Sequence, residues 1–451
     1  MQYIVKILNI RHNILTNIHK KRHMKIKNIQ AREILDSNGK PTISTEIELL
    51  GGDKGVGDVP SGASTGSTEV LELRDKDGLG VTDAVNIINT KIKDSIIEKE
   101  FKSQEEFDNY LIELDGTQQK SKLGGNSILS CSMAFCRAST NSLGLELYEY
   151  ISMIYSKEDY NPKNFTMPSP LVLVMEGGKH GDWATDIQEF MIVPNVERFK
   201  TFEDGFRQSI KVFQGIRDIL KQKRYSTNVG FEGAFAPVEI KDNKEALDII
   251  LQGIQESGYT PTEDFSIAID VAASEIYDKT KQKYILKKEK KEYDTQRWIS
   301  FQKELYSNYP LISIEDPLIE NDWSGWNTIT KALGEKYQIV GDDLLTTNTE
   351  RIQQGIENKA MNSVLIKLNQ IGTVTETLNA IKLSVDNGMT AIISHRSGET
   401  NDSFIADLVV GTPATQCKFG GPTRGERLVK YNRLLEIEKK LTLESHSFEH
   451  I

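Results

Sequence analysis

The chain has 451 residues, 38% of them hydrophobic and 27% charged, with a formal net charge of −10. That length favours two domains, and the composition is that of an ordinary globular protein. The acidic balance argues against nonspecific nucleic-acid binding. No apolar run reaches the roughly 18 residues needed to span a membrane. The three cysteines, Cys131, Cys136 and Cys417, form no metal-ligand pattern, and their odd number suits a reducing compartment.

Residues 1–23 contain no acid and place Ile4, Ile7, Leu8, Leu15 and Ile18 near one helical face. The expectation is a basic extension before a start at Met24, with a mitochondrial transit peptide as the alternative. From 24 to 165 strand and helix signals mix, which predicts an α+β domain. TISTEIELL alternates as a half-buried antiparallel strand, VPSGASTG is a small-residue loop, and DAVNIINTKIKDSII and NSILSCSMAFCRASTNSL read as helices. Cys131 and Cys136 on the latter are expected to be buried. The proline-bearing SKEDYNPKNFTMPSP is the predicted connection.

Residues 166–451 alternate strand and helix signals and predict an α/β barrel. Five polar residues each follow a short apolar run: Asp270, Glu315, Asp342, Lys367 and His395, with Lys418 next in line in QCKFGGP. Their spacing of 23 to 45 residues matches successive βα units. In a parallel barrel the C-terminal ends of all strands open on one face, so these side chains should converge. The lysine-rich segment 279–294 explains the longest interval as an inserted hairpin or loop.

The residue types then suggest chemistry. Asp270, Glu315 and Asp342 offer the oxygen ligands that Mg²⁺ requires. Any one of them alone reads equally well as a helix N-cap, but three at barrel spacing do not. Lys367, flanked by apolar residues and beside a metal, is expected to hold a lowered pKa and act as a base, with Lys418 as a second base or cation. His395, Arg396 and Ser397 in SHRSGE suit a phosphate. Glu189 in QEFMIVP and Glu232 in FEGAFAP form a second acid pair suited to general-acid work on a hydroxyl leaving group. His180 sits in a glycine-rich loop. SGASTG has the composition of a lid whose Ser64 can reach a metal, and it lacks the GK[ST] of a P-loop.

Taken together and in order, these segments resemble the enolases. The likeness runs from AREILDSNGKPT through VPSGASTG, QEFMIVP, FEGAFAP, DVAASE, SIEDP, GDDL, KLNQIG and SHRSGET to KFGGPTRGERL. It implies an N-terminal α+β lid domain, a modified barrel with an early antiparallel strand, and a cytoplasmic homodimer. It also implies Mg²⁺-dependent interconversion of 2-phosphoglycerate and phosphoenolpyruvate with two Mg²⁺ per site. By resemblance Lys367 is the base at C2, and Glu232 the acid at the C3 hydroxyl, supported by Glu189. Asp270, Glu315, Asp342 and Ser64 are the metal ligands. His180, Gln188, His395, Arg396, Ser397 and Lys418 are the substrate shell.

The sequence also departs from the family pattern. Phe231 and Ala234 flank Glu232 and Gly233 where the family reads D-E-G-G, a change expected to bear on the placement of Glu232. Glu176, Lys179, Gly181 and Asp182 depart from N-G-G-S-H-A-G, and Asn38, Lys40, Asn401 and Gly425 alter other motifs. These changes keep open a second reading, a divergent paralogue with weak or no turnover that acts by binding another protein. A racemase or cycloisomerase is disfavoured, because such barrels lack this lid and phosphate grip.

Overall fold

A computed structural model describes residues 24–62, 66–161 and 165–447. The basic segment 1–23 and Ser64 lie outside the described residues. The first domain is built on an antiparallel meander, β1 (Met24–Leu35), β2 (Pro41–Leu49) and β3 (Lys54–Asp58). As the alternation predicts, Ile43, Ile47 and Leu49 of β2 face the core. The helix Gly125–Leu143 lies directly on this sheet. Its backbone approaches so closely that a Cβ on Gly55 or Gly57 would fall 2.2 Å from the Ala134 carbonyl or 2.4 Å from that of Ser130. Only glycine fits at those two positions.

That helix serves two cores. Ile128, Cys131, Ala134 and Phe135 pack into the first domain, whereas Leu129, Met133 and Cys136 pack against the barrel. Arg137 on the same helix makes two 2.6 Å bonds to Asp402 beyond the barrel rim. The segment DAVNIINTKIKDSII is helical as expected, with one wide turn at Ile88–Ile92.

The barrel follows from Val172. Its strands are β4 (Val172–Glu176), β5 (Glu189–Pro194), β6 (Phe265–Asp270), β7 (Leu311–Glu315), β8 (Gln338–Gly341), β9 (Ser363–Ile366), β10 (Thr390–Ser394) and β11 (Gln416–Lys418). β5 runs antiparallel to both neighbours, and β6 to β11 pair in parallel. The ring closes where Leu171 N donates to Cys417 O at 2.8 Å and Leu173 N to Gly420 O at 3.2 Å. Side chains alternate as a barrel demands. Leu173, Met191, Ala268, Val340, Leu365 and Ile392 fill the interior, and their sequence neighbours pack outward. The lysine-rich insertion folds as a small antiparallel sheet, Tyr277–Asp278, Lys283–Leu286 and Lys291–Tyr293. Among the described residues no helix is long and apolar enough to cross a membrane.

Candidate active site

The strand ends deliver the expected side chains to one mouth. Asp270, Glu315 and Lys418 close β6, β7 and β11, while Asp342, Lys367 and His395 each stand one residue beyond β8, β9 and β10. Register lines the acids up: Glu189 pairs with Asp270, and Asp270 with Glu315, across adjacent strands. His180, Gln188, Glu189, Glu232, Asp270, Asp342, Lys367, His395, Arg396, Ser397 and Lys418 line a single cavity. Glu315 lies behind them, buried against Lys418.

The ammonium of Lys418 sits among three carboxylates, 3.1 Å from Glu189, 3.1 Å from Asp270 and 2.8 Å from Glu315. Burial alone would discharge it, but Asp270, Glu189 and Glu315 hold its pKa well above the usual lysine value. Lys367 forms an ion pair with Asp342. This corrects the expectation of a lowered pKa. Burial does oppose the charge, but Asp342 outweighs it together with the repulsion from Arg396 and Lys418, and the net shift is upward. Lys367 is therefore an ammonium as long as Asp342 has no other counter-charge.

Glu232 keeps its place in the mouth. Its two oxygens lie 3.3 Å from His180 Nδ1 and 3.2 Å from His395 Nε2. The two departures beside it are absorbed locally. Ala234 is fully buried in the barrel interior, where its methyl fills space, and Phe231 turns outward, 43% exposed. Burial works against ionisation of Glu232, but His395 and His180 hold its carboxyl well below the usual range.

The two histidines differ in kind. Arg427 Nη1 lies 2.7 Å from His395 Nδ1. Since arginine can only donate, Nδ1 accepts and Nε2 carries the hydrogen toward Glu232. Burial lowers the His395 pKa to about 3 against the pull of Glu232, with Arg427 assisting, so this ring is neutral. His180 is raised to about 9, because Glu232 and then Glu189 overcome the cost of burial. Its charge stabilises the fold fully below the unfolded value near 6.5, and that contribution disappears as pH rises toward 9.

Arg396 Nη1 is 3.0 Å from Glu69 Oε2, so the loop carrying Arg396 touches the segment that follows SGASTG. Ser61 and Gly398 are joined by paired backbone bonds of 2.8 and 2.9 Å. Gln188 Oε1 is buried without a protein partner, a polar atom aimed into the cavity and fit for a ligand.

The ligand atoms that converge within 4.8 Å fall in two groups, His180 with Glu189 and Glu232, and Asp316 with Asp342 and Asp343. Of the expected metal trio only Asp342 belongs to such a group, since Asp270 and Glu315 are drawn onto Lys418. The donors available from the trio are all carboxylate oxygen, which fits a hard divalent cation. Asp316 and Asp343 were missed by sequence reasoning although each is the second acid of a visible doublet. Asp316, at φ 41°, accepts from the N–H groups of Asp342 and Asp343 at 2.9 Å each. It thereby fixes the turn that carries Asp342.

The comparisons agree with this geometry. Residues 26–151 match the family model for the enolase N-terminal domain, and residues 164–449 that for the enolase C-terminal TIM barrel domain. Enolases of Ehrlichia ruminantium, strains Welgevonden and Gardel, are each 48% identical over 424 residues, 93% of this chain and 97% of theirs. The Ehrlichia canis enolase is 48% identical over 423 residues, again 93% and 97%. That family implies a metal cofactor and a small-molecule substrate. The chain belongs to the enolase family, and its function is that of the glycolytic lyase, a phosphopyruvate hydratase.

Proposed function

We propose that Lys367 removes the proton from C2 of 2-phosphoglycerate and that Glu232 protonates the departing C3 hydroxide, giving phosphoenolpyruvate and water. The C2–H and C3–O bonds break, the C2–C3 double bond forms, and water carries away a proton delivered through Glu232 from the protonated His180 beside it. The observation that supports this assignment is that Lys367 and Glu232, ionisable side chains from different parts of the chain, line one cavity. Lys418, held as an ammonium, faces the substrate carboxylate. Arg396 and Ser397 grip the phosphate, and His395 and Gln188 offer further polar contacts. Glu189, which faces the other side of His180 Nδ1 at 3.4 Å, holds that ring toward Glu232.

Asp270, Glu315 and Asp342 would hold Mg²⁺, with Ser64 joining at a second ion. When bound, the metal supplies positive charge to a substrate whose carboxylate gains further negative charge on proton loss, and it offers Asp342 a counter-charge other than Lys367. Buried carboxyls outnumber cationic side chains in the cavity, so it suits added divalent charge. The reading extends to a cytoplasmic homodimer with two Mg²⁺ per site, as the family resemblance implies.

Calorimetric titration of Mg²⁺ into the protein tests the ligand set without relying on turnover. Asp342→Asn is expected to weaken binding by about tenfold or more. Wild-type affinity in that variant would remove Asp342 from the metal site.

A further inference from the structure

Glu176 ends β4 directly behind the general-acid loop and is fully buried. Its Oε2 accepts the backbone N–H of Glu232 at 3.1 Å, and its Oε1 accepts that of Ala234 at 2.9 Å. Its own N–H donates to Phe235 O at 2.9 Å. The loop is wrapped tightly over the carboxyl: a Cβ on Gly230 would lie 2.4 Å from the Glu176 carboxyl carbon and 2.7 Å from the His180 carbonyl. In the sheet Glu176 pairs with Glu189, so it continues the row of acids that runs on to Asp270 and Glu315.

Two converging N–H groups need two acceptors. A carboxyl provides both through its two oxygens, each of which keeps an acceptor lone pair even when one is protonated, whereas an amide of the same shape provides one and turns a donor toward the other N–H. An unpaired buried donor is costly, so the pairing is strict. The backbone of residue 232 is thus fixed by a side chain that touches nothing in the substrate cavity. On the far side, the Glu232 carboxyl is fixed by His180 and His395.

We infer that Glu176 is a positioning residue for Glu232, holding the backbone of the acid so that its carboxyl reaches the leaving hydroxyl. This rests on the reading of Glu232 as the acid. Three titratable groups face Glu176: Glu232 from the loop it holds, His180 from the glycine-rich loop, and Glu189 from the paired strand. Burial and then the charge of Glu232 push the Glu176 carboxyl up to about 8, against the two N–H groups and His180.

The test compares Glu176→Gln with Glu232→Gln in the full chain with Mg²⁺. Each variant is followed by turnover of 2-phosphoglycerate and by exchange of its C2 hydrogen with deuterated solvent. For Glu176→Gln the expected result is a kcat lower by about 10- to 100-fold. KM should stay within about twofold and C2 exchange should be retained, because the affected group acts after proton removal. A folded Glu176→Gln protein with wild-type kcat overturns the proposal, even if Glu232→Gln is inactive. Full activity in Glu232→Gln overturns the acid assignment itself, and with it this inference.

If Glu176→Gln does not fold, Glu176→Asp decides, because its shorter side chain keeps two acceptor oxygens but draws them back from the two N–H groups. That variant should also lose kcat while C2 exchange is retained, and a folded Glu176→Asp protein with wild-type kcat contradicts the proposal.

Discussion

Replacing Lys367 by alanine is expected to lower turnover of 2-phosphoglycerate by about 10³-fold or more, at the upper end of what one acid–base group contributes. The C2 hydrogen is barely acidic, because its removal adds negative charge to an anion already carrying a carboxylate and a phosphate. No other described group near Lys367 can replace it as base. Lys418 is engaged by three carboxylates, and His395 spends its hydrogen on Glu232 and its lone pair on Arg427. The fold should survive the change, since Asp342 still accepts from Gln370 Nε2 at 2.9 Å. Loss of C2 hydrogen exchange in step with turnover is the discriminating observation. An alanine variant that still exchanged that hydrogen at near the wild-type rate would locate the base elsewhere.

Glu232→Gln is expected to separate the two half-reactions. The amide keeps the size of the carboxyl but has no proton to give to a departing hydroxide. Turnover should fall by about 10²- to 10⁴-fold while C2 exchange continues. The electrostatic consequence can be checked in the same protein. Glu232 is the largest attractive charge on His180, so its removal should bring the pKa of that ring down from about 9. Nitrogen-resolved NMR of the imidazole reads the change directly. An unchanged His180 titration, or equal loss of exchange and turnover, would contradict the assigned roles.

Much of this site was legible because of one geometric fact. A residue that follows a short apolar run at βα spacing stands at a barrel rim, as Asp270, Glu315, Asp342, Lys367 and His395 do, with Lys418 at the end of the next strand. The antiparallel course of β2 and the buried cysteines followed equally from local pattern. What escaped was information carried by pairing. Glu176 is one more acid after an apolar run in the sequence, and its significance depends on two N–H groups 56 and 58 residues away. Asp316 likewise acts on the turn of a different strand.

The charge state of Lys367 was misjudged for a related reason. Flanking residues report burial, but the sign of its shift is set by Asp342 across the barrel. The changes beside Glu232 looked disruptive in sequence because their neighbours were unknown. In the fold, Ala234 joins the barrel interior, Phe231 faces outward, and Glu176 holds the segment between.

Steady-state conversion of 2-phosphoglycerate by the purified full-length chain, with saturating Mg²⁺ and again after chelation, puts the whole arrangement to trial. Phosphoenolpyruvate should accumulate in the first case and stop accumulating in the second, returning when Mg²⁺ is restored. No phosphoenolpyruvate at saturating Mg²⁺, or equal rates with and without the ion, would contradict it.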